Sequence, residues 1–150
     1  MNKTTQVSLA SICSAVIIFN FTSCKYEEGP KITLKSKDSR LAGTWTATII
    51  EGKAVDSTIT LVLDFDKEGA INAKSSYSYS YYGITYTYSY DQNGTWTWND
   101  DKSGFQAIIG EGQEMDTLNV EILRLTSKEM KFKDLDAEDV REELFEFTKE

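Results

Sequence analysis

The sequence predicts an all-β domain, an antiparallel up-and-down barrel of about 8–9 strands, and three observations carry that expectation. From Leu41 onward, apolar and polar residues alternate with a period of two, the pattern of a strand with one face buried. Turn-forming clusters break the alternation about every 8–12 residues, as in a barrel or sandwich. Helical periodicity is confined to short stretches, the best being the acidic run Ala137 to Glu143. Successive hairpins with no long crossover favour a meandering barrel over a Greek-key sandwich, and closure removes exposed sheet edges.

Taken in order, Thr44 to Ile49 places Trp45, Ala47 and Ile49 on one face and threonines on the other. Ile59, Leu61, Leu63 and Phe65 repeat the pattern, and Asp66-Lys67-Glu68-Gly69 follows as a hairpin turn, with glycine suited to the left-handed position. Ile71 to Tyr82 and Ile84 to Tyr90 pair around Gly83, and Gln92-Asn93-Gly94 reads as a turn into Thr95 to Trp98. Phe105 to Ile109, Leu118 to Leu125, Met130 to Phe132 and Leu144 to Thr148 complete the set.

Composition narrows the function. The 150 residues contain no histidine, which excludes a Ser-His-Asp or Cys-His nucleophile pair and a histidine-bearing zinc site. A net charge of −8 opposes the basic stripe that nucleic-acid binding needs. Asp64, Asp66, Glu68 and Gly69 imitate the start of a calcium loop, but the twelfth position is Ser75 where glutamate is required. The six carboxylates between Asp134 and Glu143 read as a solvated acidic loop. No spacing marks a catalytic residue, a metal site or a cofactor, so an enzyme is not expected.

The first 23 residues stand apart from the domain. Lys3 precedes an apolar run from Val7 to Phe21, and Thr22-Ser23-Cys24 follows, the layout of an export signal too short to span a bilayer. Small residues directly before a cysteine resemble a bacterial lipoprotein signal, which implies cleavage after Ser23 and lipidation of Cys24. Removing the signal also removes Lys3 and Cys13, leaving 15 basic against 24 acidic residues, a net of −9. Lys25-Tyr26-Glu27-Glu28 is similar to the acidic surface-export signals of Bacteroidota lipoproteins. The expected division is a signal at 1–23, a lipidated cysteine and tether at 24–40, and a barrel at 41–150. The expected location is the outer membrane, facing the periplasm or the cell surface.

Gly43-Thr44-Trp45 at the start of the first strand resembles the GxW signature of lipocalins. The order of Leu41-Ala42-Gly43-Thr44-Trp45, Phe65 to Gly69, Leu123 to Met130 and Phe145 to Lys149 resembles the lipocalin-like lipoproteins of Bacteroidota over 41–150. The resemblance implies that Gly43 and Trp45 close the barrel base, with a late-strand cation packed across the tryptophan, either Arg124 or Lys149. It also implies a small-ligand carrier.

The compositional oddity is tyrosine. Seven of the eight lie between Tyr77 and Tyr90, and the 16 residues from Ser75 to Tyr90 carry no charge. Tyr77, Tyr79 and Tyr81 share one face of their strand, Tyr86 and Tyr88 share one face of the next, and Trp96 and Trp98 continue the stripe. Alternating aromatics pair well across strands and suit a core, whereas buried hydroxyls each need a partner. Ala70 to Tyr82 at ~3.4 Å per residue outreaches a small barrel wall, so the hairpin tip is expected to project. The stripe of Tyr77, Tyr79, Tyr81, Tyr86, Tyr88, Trp96 and Trp98 is the candidate surface for a small apolar or aromatic ligand. The alternative is a tyrosine/serine hairpin that docks a protein or glycan, as paratopes do.

Overall fold

The computed structural model describes residues 34–112, 115–137 and 144–149. The signal, Cys24 and most of the tether lie outside the described residues, as do residues 138–143 of the acidic helical candidate. A helix α1 (Lys37–Leu41) precedes β1 (Gly43–Ile50), β2 (Lys53–Ala54), β3 (Ile59–Phe65), β4 (Ala70–Tyr81) and β5 (Ile84–Trp98). β6 (Gly104–Ile109), β7 (Asp116–Leu125), β8 (Glu129–Asp134) and β9 (Leu144–Lys149) follow. Every pairing is antiparallel, β3 lies beside β1, the strands from β3 to β9 follow one another in sequence order, and β1 pairs β9 to close an eight-stranded barrel. β2 is an extra edge piece folded back on β1 through Glu51-Gly52, both at positive φ.

The alternation decides which face is inside. Trp45, Leu63, Phe65, Ile71, Trp96, Phe105, Val120, Phe132 and Phe147 point inward and are buried, each fully buried large side chain stabilising by about 1.5–3 kcal/mol. Their rings interlock: Phe65 meets Trp96 and Phe105 edge-on at 5.8 and 5.3 Å, and Phe132 stacks on Phe147 at 5.4 Å. This end of the barrel is full.

Helix α1 seals it. Ser36 caps the helix by accepting the Ser39 amide at 3.1 Å, Leu41 is fully buried, and Arg40 is buried with its guanidinium donating to Leu125 O at 2.7 Å. Residues 37–40, expected in the tether, thus belong to the folded base. Trp45 Nε1 donates to Leu41 O at 2.6 Å, and Asp38 accepts from Trp98 Nε1 at 2.6 Å and from Lys102 Nζ at 3.0 Å.

Two expectations are corrected. Arg124 does not cross Trp45: a bulge between Ile122 and Arg124 shifts the alternation, so Leu125 takes the inward place and Arg124 turns outward to Glu129 at 2.7 Å. Lys149 supplies the cation, with Nζ 4.9 Å from the Trp45 ring. Gln92-Asn93-Gly94 makes no turn but continues β5, because Asn72 on β4 donates to Asp91 Oδ1 at 2.7 Å and to Asn93 Oδ1 at 3.0 Å. Gly94 is needed there for close approach, since a Cβ would collide with the carbonyl oxygen of Ile108 on β6.

Candidate functional site: the open mouth of the barrel

Away from α1, the barrel is incompletely filled. Inward side chains become smaller or recede along β4 and β5, where Ala73 and Ser75 stand opposite Gln92 and Tyr90. The result is a cavity of about 210 Å³ lined by Leu61, Leu63, Ala73, Ser75, Gln92, Ile109, Asp116, Leu118, Phe132, Phe145 and Phe147. Seven strands, β3 to β9, contribute. A second recess of about 250 Å³ adjoins it at Leu61 and Ser75 and runs between Ile50, Ile59, Tyr77 and Tyr90. An apolar cavity of ~150 Å³ can hold benzene, so the mouth admits a body the size of a single ring.

Most of the lining is hydrocarbon, and the polar groups are few. Ser75, Gln92 and Asp116 lie among the lining side chains. Among the described residues Asp116 is the one charged side chain there. It occupies the inward parity of Leu118, Val120 and Ile122 at the start of β7, opposite Ile109. A carboxylate so placed repels an anionic head group and attracts a cationic one.

The sequence-predicted residues divide between two ends of one face. Trp96 is 5% exposed, with Nε1 donating to Asp66 O at 3.1 Å, and Trp98 packs edge-on to it at 5.4 Å beneath α1. Both are base residues on the same strand as Tyr86 and Tyr88, remote in register from the mouth. Tyr77 lines the recess, and so does Tyr90, which the expected set omitted. Tyr79, Tyr81 and Tyr86 stand beyond the rim on the part of the hairpin that outruns β3, and Tyr88 lies level with the end of β3, opposite Tyr77. Leu61, Ile109, Asp116, Leu118 and Phe145 were also missed. Their signal was present as inward parity near the strand ends, with Asp116 as the carboxylate interrupting an apolar series.

The projecting tyrosines are neither core nor flat platform. They are between 39% and 87% exposed, yet Tyr79 stacks on Tyr77, Tyr86 and Tyr88 at 6.0, 5.4 and 6.2 Å with small interplanar angles. Tyr79 is therefore the centre of the stack. A hydrogen bond with the Tyr88 hydroxyl pushes the Tyr79 phenol above its ordinary 10.0. On the opposite face Ser78 bonds Thr87 at 2.8 Å and Ser80 bonds Thr85 at 3.1 Å.

An outer-wall depression of about 350 Å³ beside Arg124, Glu129, Lys131 and Glu146 is a weaker candidate. Its charges already pair with one another, Arg124 with Glu129 at 2.7 Å and Lys131 with Glu146 at 3.5 Å. No family model and no curated protein matches the chain.

Proposed function

We propose that this chain is a lipid-anchored, lipocalin-like binding protein of the cell envelope that takes a small ring-bearing, neutral or cationic ligand in the mouth of its barrel. The observation that carries the reading is the convergence of side chains from seven strands, apolar from six of them, on one open cavity whose single charge among the described residues is Asp116. The filled, helix-capped base leaves the mouth as the accessible end of the interior. The anchor rests on the sequence, on Cys24 directly after an export-type apolar run; two or more acyl chains there give stable attachment.

The site is tested by methyl-resolved NMR titration with a panel of single-ring amines, alcohols and carboxylates. Saturable shifts are expected at the methyls of Leu61, Leu63, Ile109 and Leu118, with amines ahead of carboxylates and the Trp45 and Trp96 indoles unmoved. No saturable shift from any panel member contradicts the reading. The anchor is tested separately: Cys24→Ala should move the protein from the membrane fraction to the soluble one, and unchanged fractionation contradicts lipidation.

A further inference from the structure

The β4–β5 hairpin leaves one long strand edge open. β6 pairs β5 only from Gly94 to Trp98, so among the described residues Ile84 to Gln92 has no neighbour on the side away from β4. Backbone polarity along β5 can be assigned from two bonds: Asn93 O accepts from Gly110 N on the β6 side, and Trp96 N donates to Gly69 O on the β4 side. The N–H and C=O of one residue in an antiparallel strand point the same way and alternate along it. Thr85, Thr87, Ser89 and Asp91 therefore aim their backbone groups out of the open edge.

Natural edges are guarded by lysine, proline, bulges or brevity. This edge has none of these devices: it carries no charge from Ile84 to Tyr90, and the β4–β5 register runs without a shift. The chain elsewhere is acidic, with a net of −8, so two copies repel over most of their surfaces and meet without like charge here. On that edge strand Tyr86, Tyr88 and Tyr90 are 40–63% exposed and offer aromatic contact area to a second copy beside the backbone pairing.

The geometry points to a two-fold homodimer in which β5 of one copy pairs antiparallel with β5 of a second copy, centred on Thr87. Geometry selects the register. With Thr87 opposite Thr87, Thr85 faces Ser89 and all three pairs exchange hydrogen bonds through outward-aimed groups. The second copy's Gly83 then lies opposite Asp91, short of Gly94, where β6 begins. Moving the centre to Ser89 drives the hairpin tip into β6, and moving it to Thr85 loses pairs. In the chosen register Tyr86 lies beside Tyr88 of the second copy on the tyrosine face, so the two stacks join into one four-stranded sheet. None of the residues paired in this register lines the mouth cavity.

Analytical ultracentrifugation of the purified full chain in mild detergent, over a concentration series, tests this. The wild type should show a monomer–dimer equilibrium. Thr87→Lys alone and Thr87→Glu alone place like charges opposite each other and should weaken association by about tenfold or more. An equimolar mixture of the two should restore the dimer, a rescue that misfolded variants cannot give. A wild type that stays monomeric overturns the proposal, as does a dimer unaffected by both charges or singly charged variants whose mixture stays monomeric.

Discussion

The ammonium of Lys149 lies 4.9 Å from the centre of the Trp45 ring and donates to the carbonyls of Arg40 and Ala42, tying the last strand to the first and to the capping helix. Burial first, and the charge of Lys35 second, pull this ammonium below its ordinary 10.5. Lys149→Met keeps the aliphatic stem but leaves two carbonyls without their donor. Unfolding by urea should register a loss of about 1–3 kcal/mol. Arg124→Met, which breaks an exposed pair with Glu129, should cost under about 1 kcal/mol. Equal losses from the two would return the choice of barrel-closing cation to open question.

Asp38 ties α1 to the base by accepting from Trp98 and Lys102. The Lys102 hydrogen bond, then that of Trp98, holds its carboxyl below the ordinary 3.8. A carboxylate depressed in the folded state adds stability above its unfolded value, and that contribution is lost as pH falls from about 3.8 through the lower folded value. Acid titration followed by Trp98 emission should show the base loosening in that window, and Asp38→Asn should remove this part of the pH dependence. An acid limb identical in the variant would assign the transition to other carboxylates.

Gly94 separates two readings of one tripeptide. As a turn glycine it would accept alanine at about 1 kcal/mol. Inside β5, with the Ile108 carbonyl oxygen in the place of a Cβ, Gly94→Ala must push β6 away and should cost about 3 kcal/mol or more. Thermal unfolding decides between the two figures.

The hairpin turn carries its own strain. Tyr82 and Gly83 sit at φ 49° and 77°, the two positive angles of a type I′ turn, which tyrosine adopts at a cost and asparagine favours. Tyr82→Asn should stabilise the tip by about 0.5–1 kcal/mol, read as slower amide exchange from Tyr79 to Tyr86. Faster exchange would mean that the Tyr81–Tyr82 ring contact at 4.5 Å outweighs the backbone gain.

The barrel was legible in the sequence because period-two alternation is local: Trp45 with Ala47, Leu63 with Phe65, and Phe145 with Phe147 each declare their inner face without knowledge of their neighbours. The turns at Asp66–Gly69 and at Gly83 were legible from their own glycines, whereas Tyr82, read as strand, joins Gly83 in the turn. Arg124 was not, because one bulge reverses parity and bulges leave no compositional mark. Gly94 was misread since a turn glycine and a close-approach glycine look alike until the facing strand is known. Helix α1 is short, and its cause is tertiary: Leu41 and Arg40 are held by Trp45, Leu125 and Lys149. The cavity depends on how the ends of seven strands converge, which register fixes and no single segment reveals. The tyrosines drew attention by abundance, while Ala73 and Leu118, which leave and line the space, are ordinary residues.

Calorimetric titration of benzylamine into the wild type, Leu118→Trp and the double variant Tyr86→Ala/Tyr88→Ala tests the mouth as binding site most directly. The expected result is saturable binding to the wild type, its loss when an indole fills the cavity at position 118, and its retention when the two projecting tyrosines are removed. Binding that survives Leu118→Trp and disappears with the tyrosines would contradict it and place the ligand on the hairpin.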